Sequence, residues 1–300
     1  MRKSVQLTSV LVALSMGAFA QQFNGGVLNN ATSKVYQPAS IVGNYNLSVN
    51  AISVSGGLWN NGYTFTKDFL FSSVSNSKEA SKGFFKNQKS VSKSASANLD
   101  IVGPSVSYNL GDAGYAGVYT RFREVVNLDR LNNGVFQSFN NLNSKFWNHT
   151  FSQQNLNISM HSFNEIGFNY GKEIYNENGH HLAAGITAKV LSGISAASVQ
   201  VGSLNVNMSA DTVNKLDGNF SVAYSDNAGS LTKAAVTTAS QMLNFSGPKS
   251  VGADLGISYE YSGKRQKGYA VKASLAITDL GSITYKTSSN SKSFKVAAEK

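Results

Sequence analysis

Lys249-Ser250-Val251-Gly252-Ala253-Asp254-Leu255-Gly256-Ile257-Ser258-Tyr259-Glu260-Tyr261 alternates with a period of two. Val251, Ala253, Leu255, Ile257, Tyr259 and Tyr261 share one face. Gly252, Asp254, Gly256, Ser258 and Glu260 share the other. Side chains of an extended strand point alternately to opposite faces, so this spacing predicts a β-strand with one apolar and one polar side. A turn follows at Ser262-Gly263-Lys264-Arg265-Gln266. Beyond it Tyr269, Val271, Ala273, Leu275 and Ile277 alternate with Ala270, Lys272, Ser274, Ala276 and Thr278. Each run is about ten residues, the length with which a tilted strand crosses a bilayer. Strands of water-soluble domains more often have five or six.

The pattern recurs upstream. Leu182, Ala184, Ile186, Ala188 and Val190 alternate with His181, Gly185, Thr187 and Lys189. Ile166, Phe168 and Tyr170 alternate with Glu165, Gly167, Asn169 and Gly171; Ala116, Val118, Thr120 and Phe122 alternate with Tyr115, Gly117, Tyr119, Arg121 and Arg123. Tyr45, Leu47, Val49 and Ala51 begin the first strand of this kind. Between Asn98 and Leu110 the apolar phase slips at Gly103-Pro104, where a bulge or a corner is expected. Ten or eleven strands are expected in all. Ser72 to Ala95 reads as a long loop or a partly helical insertion. Asn127 to Leu142 carries Leu128, Leu131, Val135, Phe136, Phe139 and Leu142 at helical spacing, which predicts a short amphipathic helix. Ile194–Leu204 and Ser230–Leu243 fit neither period.

The chain begins with Arg2 and Lys3, an apolar stretch from Val5 to Phe19, and Ala18-Phe19-Ala20 before Gln21. That is the layout of a secretory signal peptide over residues 1–20, cleaved after Ala20. No Cys stands at that point, so lipoprotein processing is excluded. Residues 21–300 then form one domain. Cysteine is absent, so packing or a closed hydrogen-bond ladder must hold this exported chain together. Charged residues make up 14% of the chain, below the roughly 25% usual for soluble domains. These features predict an all-β fold, an antiparallel transmembrane β-barrel with a short helical insertion, located in the cell outer membrane. Its surroundings there would be outer-membrane lipid and lipopolysaccharide. The net charge of +10 is scattered apart from Lys264, Arg265 and Lys267 in a turn, and no motif points to nucleic acid. The end at Phe294-Lys295-Val296-Ala297-Ala298-Glu299-Lys300 has no terminal aromatic, which suggests a tail or an incomplete barrel.

In such a barrel the apolar faces meet lipid and the charges fall inside: Arg121, Arg123, Glu165, Lys189, Asp254, Glu260 and Lys272. They would either line a polar passage or form a salt-bridged filling of the interior. Asp279 reads as a turn former bonding its own backbone. His180 and His181 follow Asn178-Gly179 at a hairpin turn, and adjacent strand residues point apart, so they make a poor chelate. Neither a Gly-x-Ser-x-Gly elbow nor a convergent metal-ligand set occurs, so the reading includes no enzyme activity, metal or cofactor. Tyr45, Trp59, Tyr63, Phe65, Tyr108, Tyr170, Tyr259, Tyr261 and Tyr269 lie near strand ends, as interfacial girdles would require or as ordinary strand composition would produce.

Three places carry a family resemblance. Gly252-Ala253-Asp254-Leu255-Gly256-Ile257-Ser258-Tyr259 with Ala273-Ser274-Leu275-Ala276-Ile277-Thr278-Asp279-Leu280-Gly281-Ser282-Ile283-Thr284-Tyr285 resembles a strand pair of fatty-acid-transporter-like outer-membrane barrels. Bacteroidota outer-membrane proteins of unknown function share it. Tyr36-Gln37-Pro38-Ala39-Ser40-Ile41 and Phe163-Asn164-Glu165-Ile166-Gly167-Phe168-Asn169-Tyr170-Gly171 are similar to elements of that set. The resemblance implies an outer-membrane barrel and supplies no catalytic residue; members of the set tend to be longer. The function expected is passage or uptake of a small or hydrophobic solute, with the helical segment near Leu131–Leu142 as plug or lid. The alternatives are a structural or assembly component of a surface machine and a soluble, surface-exposed β-sandwich adhesin.

Overall fold

The computed structural model describes residues 33–65, 84–86, 92–139, 150–209, 212–226, 245–262 and 270–299. The signal segment, Ser230–Leu243 and the basic cluster Lys264, Arg265 and Lys267 lie outside the described residues. The chain is all-β and antiparallel, with two short helices, α1 (Ser33–Tyr36) and α2 (Asn133–Phe139), and a 3₁₀ turn at Pro38–Ile41. The strands are β1 (Leu47–Asn50), β2 (Ser53–Asn60), β3 (Tyr63–Phe65), β4 (Phe84–Lys86), β5 (Lys93–Asn109), β6 (Tyr115–Leu131), β7 (Thr150–Glu177), β8 (His180–Ser209), β9 (Thr212–Tyr224), β10 (Lys249–Tyr261), β11 (Val271–Gly281) and β12 (Lys292–Glu299). Ten of them form one sheet, in the order β1-β5-β6-β7-β8-β10-β11, with β2 beside β5 and β9 between β8 and β12. β3 and β4 make a separate two-stranded ladder.

The runs read as ten-residue strands merge into much longer ones. β7 has 28 residues and β8 has 30. β8 pairs β10 along its first half and β9 along its second, so β9 and β10 together flank its whole length. In the same way β1 and β2 flank β5. The phase slip expected at Gly103-Pro104 is a bulge: the β5–β6 register shifts between Val102 and Ser105. Ile194–Leu204 is the interior of β8. The described part of Ser72–Ala95 is extended, in β4 and the start of β5. The helix expected over Asn127–Leu142 is shorter. Asn127–Leu131 completes β6, with Leu128 opposite Ile158 of β7, and among the described residues only Asn133–Phe139 turns helical. The apolar spacing there fits both periods, and the ladder to two neighbouring strands decides between them.

The sheet is inside-out relative to a soluble domain. Two rows of apolar residues cross it in register on one face. One runs Leu47, Tyr108, Ala116, Tyr170, Ile186, Leu255, Ile277; the other runs Val49, Val106, Val118, Phe168, Ala188, Ala253, Leu280. Most of these are exposed: Val49 by 68%, Phe168 by 54%, Leu255 by 44% and Ile277 by 55%. The opposite face buries Asp254, Glu165, Thr187 and Lys189 almost completely. The sheet curves toward that polar face until Arg123 of β6 touches Asp279 of β11, although three strands separate them. Its path is nevertheless open. β1 and β2 stand at one edge, β11 and β12 at the other, and no pairing joins them among the described residues. The structure therefore has a curved antiparallel sheet where the sequence suggests a closed barrel. Among the described residues no second large sheet packs face to face with it, as an adhesin sandwich requires.

The concave side holds Ser33–Ile41; residues 140–142 of the expected plug lie outside the described residues. The 3₁₀ turn touches β6, β7, β8 and β10, and Ala39 and Ile41 are fully buried. A row of small residues makes room for it: Gly171, Gly185, Gly256 and Ala276 face one another across β7, β8, β10 and β11. A Cβ on Gly185 would overlap the backbone of Pro38 and Ala39, and one on Gly171 would overlap Ile41. Gln37 fills the slot at Gly256 and donates from Nε2 to the carbonyls of Ile257 and Leu275 at 2.9 and 3.1 Å. Asn169 of β7 donates to the Lys34 carbonyl at 2.8 Å. Tyr45 and Tyr115 pack at 5.4 Å and donate to the carbonyls of Ile41 and Gly43, fixing the exit into β1. Tyr45 thus turns inward and belongs to no girdle, and burial pushes its hydroxyl up to about 12. Tyr108 and Tyr170 are exposed in the same cross-strand row of the outer face.

Gly185→Val should therefore cost about 1–3 kcal/mol, because the obstructed atoms are backbone and cannot rotate away. Ala188→Val, on the exposed face, should change stability by under about 0.5 kcal/mol. Urea unfolding of the detergent-solubilised protein measures both, and equal midpoints would place Ser33–Ile41 elsewhere.

Candidate functional site

Alternation puts acidic or basic residues from five adjacent strands on the concave face, at nearly one level. β5 supplies Asp100, β6 supplies Arg121 and Arg123, β7 supplies Glu165, β8 supplies Lys189 and β10 supplies Asp254. Asp279 of β11 completes the set. Arg121 holds Asp100 through Nε at 2.8 and 3.0 Å and through Nη2, and its Nη1 lies 3.8 Å from Glu165. Lys189 Nζ lies 3.7 Å from Glu165, 2.6 Å from Asp254 and 2.9 Å from Asp279. Arg123 Nη1 donates to both Asp279 oxygens at 3.0 and 2.9 Å, and its Nε returns to Asp100 at 3.9 Å. The ion pairs close into a ring of three cations and four carboxylates.

Local structure holds the ring in place. Tyr119 lies over Gly167, its register partner, where any side chain would overlap the ring, and its hydroxyl donates to Glu165. At the β10–β11 bulge, between the Ala253 and Leu255 pairs, Asp279 has φ +60° and its N–H donates to Asp254 at 2.6 Å. Asp279 is thus a member of the ion-pair ring; the sequence expectation of a self-bonded turn is corrected. A short carboxyl side chain tolerates the left-handed conformation, and the bulge turns it toward Lys189 and Arg123. From the inner segment, the Tyr36 ring covers the Arg121 guanidinium at 4.6 Å, and Tyr36 meets Ser55 at 3.3 Å. Lys34 Nζ sits 4.0 Å over the Tyr45 ring, and burial lowers it to about 8.

Five of the seven residues expected inside come together here: Arg121, Arg123, Glu165, Lys189 and Asp254. Glu260 and Lys272 do not join them. They pair with each other at 2.5 Å across β10 and β11, nearer the turn. Asp100 and Asp279 are the members the sequence reading missed. Asp100 stands beside the Gly103-Pro104 slip, where alternation loses its phase. His180 and His181 take separate partners, Tyr259 at 2.6 Å and Glu173 at 2.9 Å. No cluster of three metal-ligating side chains occurs among the described residues.

Toward the Thr150 end of β7 and the Ser209 end of β8 the concave face stays polar, with Asp129 of β6 opposite Asn157. Asn127, Ser159 and Ser198 form one row; Asn157, Gln200, Ser221 and Ser293 form the next. The convex face opposite them carries Leu156, Val201, Phe220 and Phe294 in register.

A curved antiparallel sheet with its ions inside and its aliphatic residues outside is the class of structure this chain represents. Residues 38–299 match the model of a family of unknown function, DUF5723, and the chain belongs to that family. No curated protein and no solved structure matches it.

Removing one partner of a buried pair strands the other charge, a loss of about 3–5 kcal/mol. Asp100→Leu should therefore destabilise strongly, since both side chains of the Arg121–Asp100 pair are almost fully buried. Asp100→Leu with Arg121→Met should recover at least half of that loss. Denaturant midpoints of the two variants decide it; a double variant as weak as the single one would remove the pair from the ring's energetics.

Proposed function

We propose that the chain forms the wall of an outer-membrane β-barrel that serves passage or uptake of a small solute, without bond-making chemistry. The observation that carries this reading is the inversion of the sheet. Val49, Phe168, Leu255, Leu275 and Ile277 are exposed, while Asp100, Arg121, Glu165, Lys189 and Asp254 are buried. In water such an arrangement is unfavourable, because burying apolar area is worth about 25 cal/mol per Å² and the convex face forgoes it. In lipid it is the favourable one, since a hydrocarbon-facing charge costs about 2–4 kcal/mol at mid-depth. Strands beyond the 9–11 residues a bilayer needs support the same reading. So does the signal-peptide layout of residues 1–20. The resemblance of the Asp-Leu-Gly strand pair to fatty-acid-transporter-like barrels of Bacteroidota supports this location and suggests that the solute is hydrophobic.

A second reading has its own observation. The ion ring and the Ser33–Ile41 segment fill the concave side at adjoining levels, which favours a structural wall in a surface machine over an open pore. Passage then requires the segment to move.

Membrane fractionation with a heat-modifiable gel shift tests the location: the folded protein should sediment with outer membranes. Ile257→Arg, at a 49%-exposed site of the convex face, should lose about 2–4 kcal/mol of insertion and much of the folded band. A soluble, heat-invariant band, or an Ile257→Arg variant that inserts as well as the parent, overturns the barrel. Solute flux into vesicles separates passage from a purely structural wall.

A further inference from the structure

The ten strands of the large sheet occupy seven positions across it. β1 and β2 share the first, beside β5. β9 and β10 share the sixth, beside β8, and β11 and β12 share the seventh. Every pairing between neighbours is antiparallel. Seven is odd, so the two edges of the sheet run in the same direction. Joined directly they would make a parallel pair in a sheet that has none. An antiparallel joint needs an odd number of further strands between them.

The interior sets that number at one. The Arg123 guanidinium alone spans from Asp100 on β5, at 3.9 Å, to Asp279 on β11, at 2.9 Å. Consecutive residues of the inner segment reach both edges. Tyr36 meets Ser55 of β2 at 3.3 Å, and Gln37 donates to the Leu275 carbonyl of β11 at 3.1 Å. A barrel of about eight strands has an interior that side chains just fill, and diameter grows with strand number. One added strand reaches that circumference. Three would draw Asp100 and Asp279 beyond the reach of one guanidinium.

A second copy of the chain has the wrong direction to supply it. Copies in one membrane are related by rotation about its normal, so all their edges run the same way and a joint between them is parallel.

The edges state what the added strand must carry. Val54 on β2 is exposed by 65% and Leu275 on β11 by 64%, against 46% for Ile186 in mid-sheet. Val49 and Leu58 on one edge, and Val271 and Ile277 on the other, share that convex face. The concave positions are small: Ser53 and Ser55 on one edge, Ser274 and Ala276 on the other. Strand addition takes affinity from main-chain hydrogen bonds and selectivity from alternate side chains. We infer that the slot between β1–β2 and β11 accepts one extended segment of a separate polypeptide, antiparallel to both edges, with aliphatic side chains outward and small polar ones inward. The inference rests on the barrel reading, because hydrocarbon offers no water to the N–H and C=O groups of a sheet edge.

Disulfide cross-linking of the full chain in detergent micelles tests it. The probe is a synthetic peptide of about eleven residues, enough to cross a bilayer, alternating Val or Leu with Ser or Thr and carrying one Cys. The chain contains no cysteine, so an introduced one reports without background. β11 runs from Val271 to Gly281, so a C-terminal peptide Cys should link to Val271→Cys and an N-terminal one to Leu280→Cys. A Cys at the peptide's centre should link to Leu275→Cys on one edge and to Val54→Cys on the other. A peptide of the same composition with its alternation scrambled should link to none. The substituted side chains are all exposed, and the heat-modifiable band verifies folding. Anisotropy of dye-labelled peptide with the parent chain reads the same binding without substitution. The slot is overturned by a reversed end pattern, by equal linking of the scrambled peptide, or by a folded parent chain that binds no peptide. It is also overturned if Val54→Cys and Leu275→Cys link to each other without peptide, since the edges then close on themselves or on a second copy. A soluble, heat-invariant chain that still takes the peptide sinks the barrel reading alone; an outer-membrane chain that takes none sinks the slot alone.

Discussion

Arg123 on β6 reaches across the concave side to Asp279 on β11, and the curvature of the sheet depends on what makes that contact favourable. Asp279 receives Arg123 and Lys189 together, while its backbone N–H serves Asp254. Arg123 also approaches Asp100, and Arg121 and Lys189 both approach Glu165. No member can leave without stranding a buried neighbour, so the ring fixes which face of every strand from β5 to β11 is inside. A slip of one residue in any register would turn a charge outward and an aliphatic residue inward. Charge here specifies alignment more than it adds stability, since a buried ion pair is often no better than a well-packed apolar one.

The glycine row does the complementary work. Gly171, Gly185 and Gly256 lower the concave surface where the Ser33–Ile41 backbone lies, and Tyr36 caps the ring from that segment. Glycine weakens a strand interior by leaving nothing to pack. Here the inner segment supplies the missing atoms: Gln37 at Gly256, Ile41 at Gly171, Pro38 and Ala39 at Gly185. The two devices adjoin, so the concave side is filled at one level by ions and at the next by chain.

The faces were legible in the sequence because alternation is local. Asp254 between Ala253 and Leu255, or Glu165 before Ile166, declares its side within three residues. Asp279 was not legible: its φ of +60° and its bulge depend on the partner strand, so a reading confined to its neighbours finds only a turn. Asp100 was hidden by the phase slip beside it. Leu128 and Leu131 fitted a helix as well as a strand, and pairing with β5 and β7 decided. Ser33–Ile41 gave no signal of an interior segment, because its partners are backbone carbonyls and absent side chains up to 238 residues away.

Strand length relates these parts to one another on the barrel reading. Twenty-eight residues of β7 at about 3.3 Å each make about 90 Å of strand. A tilt near 45° reduces that to about 65 Å of height, against a hydrocarbon layer of about 30 Å. Half of the wall must then stand clear of lipid. Phe168, Tyr170, Ile186, Leu255, Ile257, Leu275 and Ile277 are exposed at the level of the ring and the inner segment, so that half is the one lipid would cover. Asn155 is ten residues along β7 from Glu165, or about 33 Å of strand. The Asn157 and Ser159 rows thus fall in the projecting half, where the exposed Asp129 stands opposite Asn157. Exposed polar and charged groups where water is plentiful, and compensated charges where it is not, is the order that the cost of burying an unpaired ion requires.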